Sequence, residues 1–254
     1  MPSQTEVDMV TATTSVDRVS TDHVSVESDK PSRRWRLPLP VTLGYLAGLV
    51  VVAVALSALS ESAQTGVILH TSTNLHNLLH GHISTLFASA FVIGDAAVAL
   101  TILPLLACLL ALAELRFGSG QLVRIFLAGH IGATLLVAVG LWIAVTAEWM
   151  PQSIGWAEDV GISYGAMAVL GALVAVLPRP WRIAWIVGWF VVAVEGAVVG
   201  QTFTNVGHLL SLLIGVAAGY TLLRTRQVAR RGFTKVEWLL LLGATVLAAG
   251  LLLG

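Results

Sequence analysis

The stretch GISYGAMAVLGAL, residues 161–173, decides the fold. It carries no charge, and Gly161, Gly165, Ala168 and Ala172 recur along one side of a helix. Ser163 stands between Gly161 and Gly165, just after the acidic pair Glu158 and Asp159, where the chain leaves water for lipid. A hydroxyl in a bilayer needs a partner, and small residues let another helix come close enough to supply one. The predicted element is a transmembrane helix, and the rest of the chain can be searched for its partner.

Composition extends this reading to the whole chain. Of 254 residues, 56% are hydrophobic and only 11% charged, and the mean hydropathy is +0.85. A soluble domain carries roughly 25% charged residues, so a soluble globular fold is excluded. The fold class is all-α, a polytopic membrane protein. Residues 1–38 differ in kind: rich in Ser, Thr, Val and Asp, they read as a disordered cytoplasmic tail ending in the basic residues Lys30, Arg33, Arg34 and Arg36. Cys108, the single cysteine, allows no disulfide within the chain.

Apolar runs place spans at 41–60, 83–115, 122–147, 161–178, 181–200, 206–223 and 236–254. The run 83–115 would cover ~50 Å as a helix against a ~30 Å hydrocarbon core. It is expected to be one element, bent near Gly94 or Pro104 or lying partly at the interface. Charge fixes the count. All fourteen Lys and Arg residues fall in alternate connections: the tail, Arg116 and Arg124, Arg179 and Arg182, and the run Arg224 to Lys235. The positive-inside rule then gives seven spans, a cytoplasmic N-terminus and an extracytoplasmic C-terminus. Residues 39–223 form a six-span core, 224–235 a basic cytoplasmic loop, and 236–254 an additional C-terminal transmembrane helix. The expected location is the plasma membrane.

The partner of 161–173 is found in GHLLSLLIGVAAGY, residues 207–220, where Gly207, Ser211, Gly215 and Gly219 recur every four residues. Both helices start from the outer side, so Ser163 and His208 sit at one depth, within ~10 Å of the boundary. If the two ladders face each other, serine and imidazole become neighbours. A serine beside a histidine is a minimal activated nucleophile, the ring accepting the hydroxyl proton.

Together these two motifs resemble those of the rhomboid family of intramembrane serine proteases. The first is similar to a Gly-x-Ser that opens a short helix continuing with small residues. The second is similar to the later helix in which histidine precedes a glycine-spaced run. The resemblance implies a rhomboid-like six-helix bundle plus a seventh helix. It also implies endopeptidase chemistry by Ser163 and His208 on transmembrane protein substrates, without metal or cofactor. Rhomboid proteases usually carry a histidine-rich start to their second helix, then a histidine and an asparagine four residues apart that help bind the oxyanion. Here the segment is NLHNLLHGHISTLFASAF, residues 74–91. With His80 aligned to the first histidine, Thr85 and Ser89 stand at the later positions, and His82 is a displaced substitute. Gly161 and the backbone N–H groups around Ser163 complete the expected oxyanion support.

Other readings stay open at this point. An inactive rhomboid-like protein would bind client transmembrane helices without cutting them. A small proton-coupled transporter would use Asp95 and Glu195, acids within spans where a charge is costly. His76 and His80 share a helical face at a metal-ligand spacing, with Glu158 or Asp159 in reach, but the expectation is no metal. His130 is expected to make a structural hydrogen bond away from the dyad, and Asp159 to face solvent. Partners are the lipid bilayer and a transmembrane helix. Nucleic acid is not expected, because orientation and anionic lipid account for the basic run.

Overall fold

The computed structural model describes residues 39–93, 96–160, 162–225 and 231–253. The N-terminal tail, Asp95 and Gly161 lie outside the described residues. The helices, in order, are α1 (Pro40–Ser57), α2 (Glu61–Thr71), α3 (Leu75–Leu79), α4 (Thr85–Ala88), α5 (Ala96–Phe117), α6 (Ser119–Thr146), α7 (Ser163–Ala172), α8 (Arg179–Gly200), α9 (Phe203–Arg224) and α10 (Lys235–Leu253). Five described helices are long and apolar enough to cross a bilayer: Pro40–Ser57, Ala99–Phe117, Ser119–Thr146, Arg179–Gly200 and Phe203–Arg224. A shorter apolar helix runs over Ser163–Ala175. The chain is an integral, multi-pass, all-α membrane protein.

One expectation is corrected. Residues 83–115 are not a single long element: α4 and a 3₁₀ turn at Ser89–Phe91 end at the extended Val92, and α5 starts afresh at Ala96 with Pro104 inside it. Between the first two apolar runs, α2 and α3 occupy much of 61–82. The polarity of ESAQTGVILHT and the shortness of α3 hide them from a search for apolar runs.

A buried carboxylate starts the bundle. The first turn of α1 has N–H groups with no partner in its own helix, and Glu114 of α5 supplies one. Its oxygens accept from Val41 N–H (3.0 Å), Thr42 N–H (2.8 Å), the Thr42 hydroxyl (2.6 Å) and the Ser119 hydroxyl (2.6 Å). A negative charge at a helix N-terminus is stabilising, and this contact ties α1, α5 and the start of α6 at one end of the bundle. At that same end Arg116 reaches across to Glu237 at 3.7 Å and lies 4.2 Å above the Phe233 ring. Both charged side chains are 2% exposed, and Arg231 adds a contact to Glu237 at 2.6 Å.

The centre belongs to α7, every residue of which from Tyr164 to Ala172 is buried. It packs between α6 and α9, while α10 lies along α5 and touches α8. Apolar transfer drives little association inside lipid, so close packing and hydrogen bonds must do it. The α9 ladder meets α7 as the small-residue spacing predicts. A Cβ on Gly215 would overlap the Ala168 carbonyl, one on Gly219 would come within 2.8 Å of the Ala172 carbonyl, and one on Gly207 would enter the Tyr164 ring. On α7, however, Gly165 faces α6, where the Phe126 ring fills the space its side chain would take.

Candidate active site

Ser163 is the first residue of α7, set at one end of the small-residue seam. What precedes it is a buried polar knot. Asp159 donates its N–H to the Ser72 hydroxyl (2.8 Å), and its carbonyl accepts from Thr73 N–H (2.9 Å) and the Thr73 hydroxyl (2.8 Å). Asn74 caps α3 by accepting from Asn77 N–H (2.8 Å), and the Asn77 amide donates to Leu69 and Ser72 carbonyls at 2.9 Å each. The chain entering α7 is thus fastened to residues 72–77, which holds the serine in register. Asp159, expected to face solvent, is instead 8% exposed.

Burial has a price for Asp159. It pushes the carboxyl up from 3.8 to about 6, offset in part by the Thr73 hydrogen bond. The folded protein therefore binds more protons than the unfolded chain between pH ~4 and ~6. The stability this gives is complete below that window and lost as pH rises through 6. A shift of this size corresponds to roughly 3 kcal/mol. Asp159→Asn, which keeps an oxygen for Thr73, is expected to raise Tm at pH 7.5 and to leave it unchanged at pH 4. Thermal unfolding of both proteins across that range checks it; equal Tm values throughout would contradict it.

His208 lies on α9 between two contacts with α7. One turn on, Ser211 donates to the Tyr164 carbonyl; one residue back, Gly207 lies under the Tyr164 ring. That ring meets the imidazole edge to face, 5.7 Å between centroids at 80°. The rotation of α9 about its axis is fixed on both sides of the histidine.

Ser163 and His208 line the same cavity, about 130 Å³ in volume. Its wall includes Ile162, Ala166 and Met167 of the α7 segment, Asn205 of α9, Ile102 and Leu105 of α5, and Ala248 and Leu251 of α10. No hydrogen bond joins serine to histidine. Both ring nitrogens of His208 are buried with no hydrogen-bond partner among the described residues. A buried polar atom without a partner costs about 1–3 kcal/mol, so packing alone gives no reason for an imidazole here.

The remaining sequence candidates fall elsewhere. Thr85 donates to the His82 carbonyl at 2.6 Å. Ser89, fully buried, meets Nε2 of His130 at 3.2 Å, which gives His130 the structural hydrogen bond expected of it. His80 turns Nδ1 to the His76 carbonyl at 2.8 Å, and His76 stacks on Trp156 at 3.5 Å. His82 is exposed, 6.1 Å from the His70 ring. None of these lines the cavity with Ser163, and among the described residues no group of three or more His, Cys, Asp or Glu is arranged to hold a metal. Glu195 is exposed on α8.

Sequence reasoning missed Asn205 and the α10 wall. Asn205 precedes His208 by three residues, a spacing that puts both on one helical face. That spacing was available in TNVGH, residues 204–208, without any structure.

No curated protein and no solved structure matches the chain significantly. The family description "Rhomboid-like protein" matches residues 37–229, from before α1 to beyond α9. With most of the sequence covered, including both motifs, the chain belongs to the rhomboid-like protein family.

Proposed function

We propose that this chain is an intramembrane serine endopeptidase of rhomboid type, cleaving transmembrane substrates with a Ser163–His208 dyad. The observation that carries the reading is the shared cavity: a helix-opening serine and an imidazole with both nitrogens unpartnered among the described residues. In the reaction, His208 accepts the Ser163 proton as the oxygen attacks a peptide carbonyl. The first N–H groups of α7, beginning at Ser163, have no partner within their helix and would serve as the backbone donors to the oxyanion. Asn205 of α9 lines the same cavity and would add a side-chain donor on turning its amide from Gly200, beside which it packs. The imidazolium then protonates the leaving amine, and water attacks the acyl-enzyme by the same route. Seven spans with the basic connections in the cytoplasm would open this site to the outer side, in a plasma membrane.

A second reading, a helix-binding protein that does not cut, draws on one feature. Towards Ser163, α5 presents the aliphatic side chains Ile102 and Leu105 rather than donors, and Thr85 and Ser89 bond elsewhere. Reconstitution with a single-span model substrate separates the readings. The protease is expected to cleave it, to lose cleavage in Ser163→Ala, and to lose ~10²–10³ in kcat in Asn205→Ala, the cost of one oxyanion donor. Co-purification of intact substrate with parent and Ser163→Ala alike, without cleavage, would favour the binder.

A further inference from the structure

At about 130 Å³ the cavity at Ser163 is smaller than the ~300–1,000 Å³ of ordinary ligand pockets. A stretch of polypeptide does not fit it as it stands, so a wall must give. The α7 and α9 walls are locked to each other through Ser211, Tyr164 and the glycine contacts. The α10 wall is different.

The start of α10 is pinned. Thr234 and Glu237 form a reciprocal cap, with Thr234 N–H to the carboxylate at 2.8 Å and Glu237 N–H to the hydroxyl at 3.2 Å. The same carboxylate holds Arg231 and Arg116. Towards its other end, α10 turns one face, Ala248 and Leu251, to the dyad cavity. Its next face, from Trp238 and Leu241 near the pinned start to Thr245 and Ala249, borders an apolar groove of about 750 Å³ shared with Gly188 and Trp189 of α8. The helix is therefore anchored at one end, covers the dyad at the other, and lies along a groove that reaches the covering part at Thr245 and Ala249.

Resting on the protease reading for its purpose, we propose that α10 is the gate of the Ser163–His208 site: its Ala248–Leu251 turn closes the cavity and swings towards α8 to admit substrate. The substrate helix and the gate then compete for one place beside α5. Cleavage depends on how readily the packing of α10 on α5 loosens.

That packing contains its own test. A Cβ on Gly243 of α10 would stand 3.1 Å from Sγ and 3.9 Å from Cβ of Cys108 on α5, within the ~3.5–4.5 Å Cβ separation of disulfides. Gly243→Cys therefore permits a crosslink that ties α10 to α5. Two probes are applied to oxidised and reduced full-length protein in detergent. A rhodamine-tagged fluorophosphonate reports Ser163, and diethylpyrocarbonate, with peptide mass spectrometry, reports His208 without any need for catalysis. The crosslinked form is expected to react at least ~10-fold more slowly with both, and the reductant to restore the rates. Cys108→Ser/Gly243→Cys is expected not to respond to oxidant. Equal His208 modification in crosslinked and reduced protein would overturn the gate, as would failure of the crosslink to form. If the fluorophosphonate labels no form while His208 modification still follows the crosslink, the gate stands and the protease reading falls.

Discussion

The Gly215→Leu variant is expected to fail to assemble. A side chain at 215 has nowhere to go, because its first atom would overlap the Ala168 carbonyl. Backbone, unlike the tip of a flexible side chain, cannot step aside. Moving α9 outward would break the Ser211 hydrogen bond to Tyr164 and open the Gly207 and Gly219 contacts on the same face. Overpacking a tight core by a few methylenes costs about 1–3 kcal/mol or more even where neighbours adjust, and here the whole seam must part. The expected result is loss of the monodisperse, folded species in size-exclusion chromatography and of cooperative unfolding. Gly140→Leu is the control: it adds the same side chain to α6, where nothing lies within 4 Å, and is expected to be tolerated. Equal behaviour of the two variants would contradict the packing argument.

Ser163→Ala and His208→Ala are each expected to lower single-turnover cleavage of a reconstituted model substrate by ~10⁴-fold or more. The double variant should be little worse than either. Groups that act as one unit do not contribute independently: once the nucleophile is gone, the base has nothing to activate. Independent binding roles would instead multiply. Both variants are expected to fold, since Ser163 is only the first residue of α7 and the His208 nitrogens bond nothing among the described residues that would be lost. A double variant whose loss is the product of the two single losses would argue against a dyad.

The helices and their seam were legible because lipid leaves a plain record in sequence. Apolar runs locate α1, α6, α8 and α9 to within a few residues, and four-residue spacing of Gly207, Ser211, Gly215 and Gly219 announces a face where backbones meet. The same logic brought Ser163 and His208 to one depth, and they line one cavity. What failed was the stretch between α1 and α5. There a hydrophobic run does not separate helix in lipid from short helices and turns at its edge, so Thr85 and Ser89 were carried onto a helix that begins only at Ala96. The knot of Ser72, Thr73, Asn74, Asn77 and Asp159 was equally hidden. Its members lie up to 87 residues apart along the chain, and no local pattern tells a buried polar side chain from a solvated one. The α10 wall is a long-range fact of the same kind: residues 248–251 read only as one more apolar turn.

The central claim, that Ser163 is an activated nucleophile, is tested most directly by covalent labelling. Purified, folded protein is exposed to a fluorophosphonate and digested, and the modified peptide is identified by mass spectrometry. One adduct, on Ser163, is expected in the parent protein and none in His208→Ala, because only an imidazole that takes the proton makes this hydroxyl reactive. An unlabelled Ser163 in protein that retains its cooperative unfolding, with an active serine hydrolase labelled in parallel, would contradict it and leave a rhomboid-like fold that binds helices without cutting them.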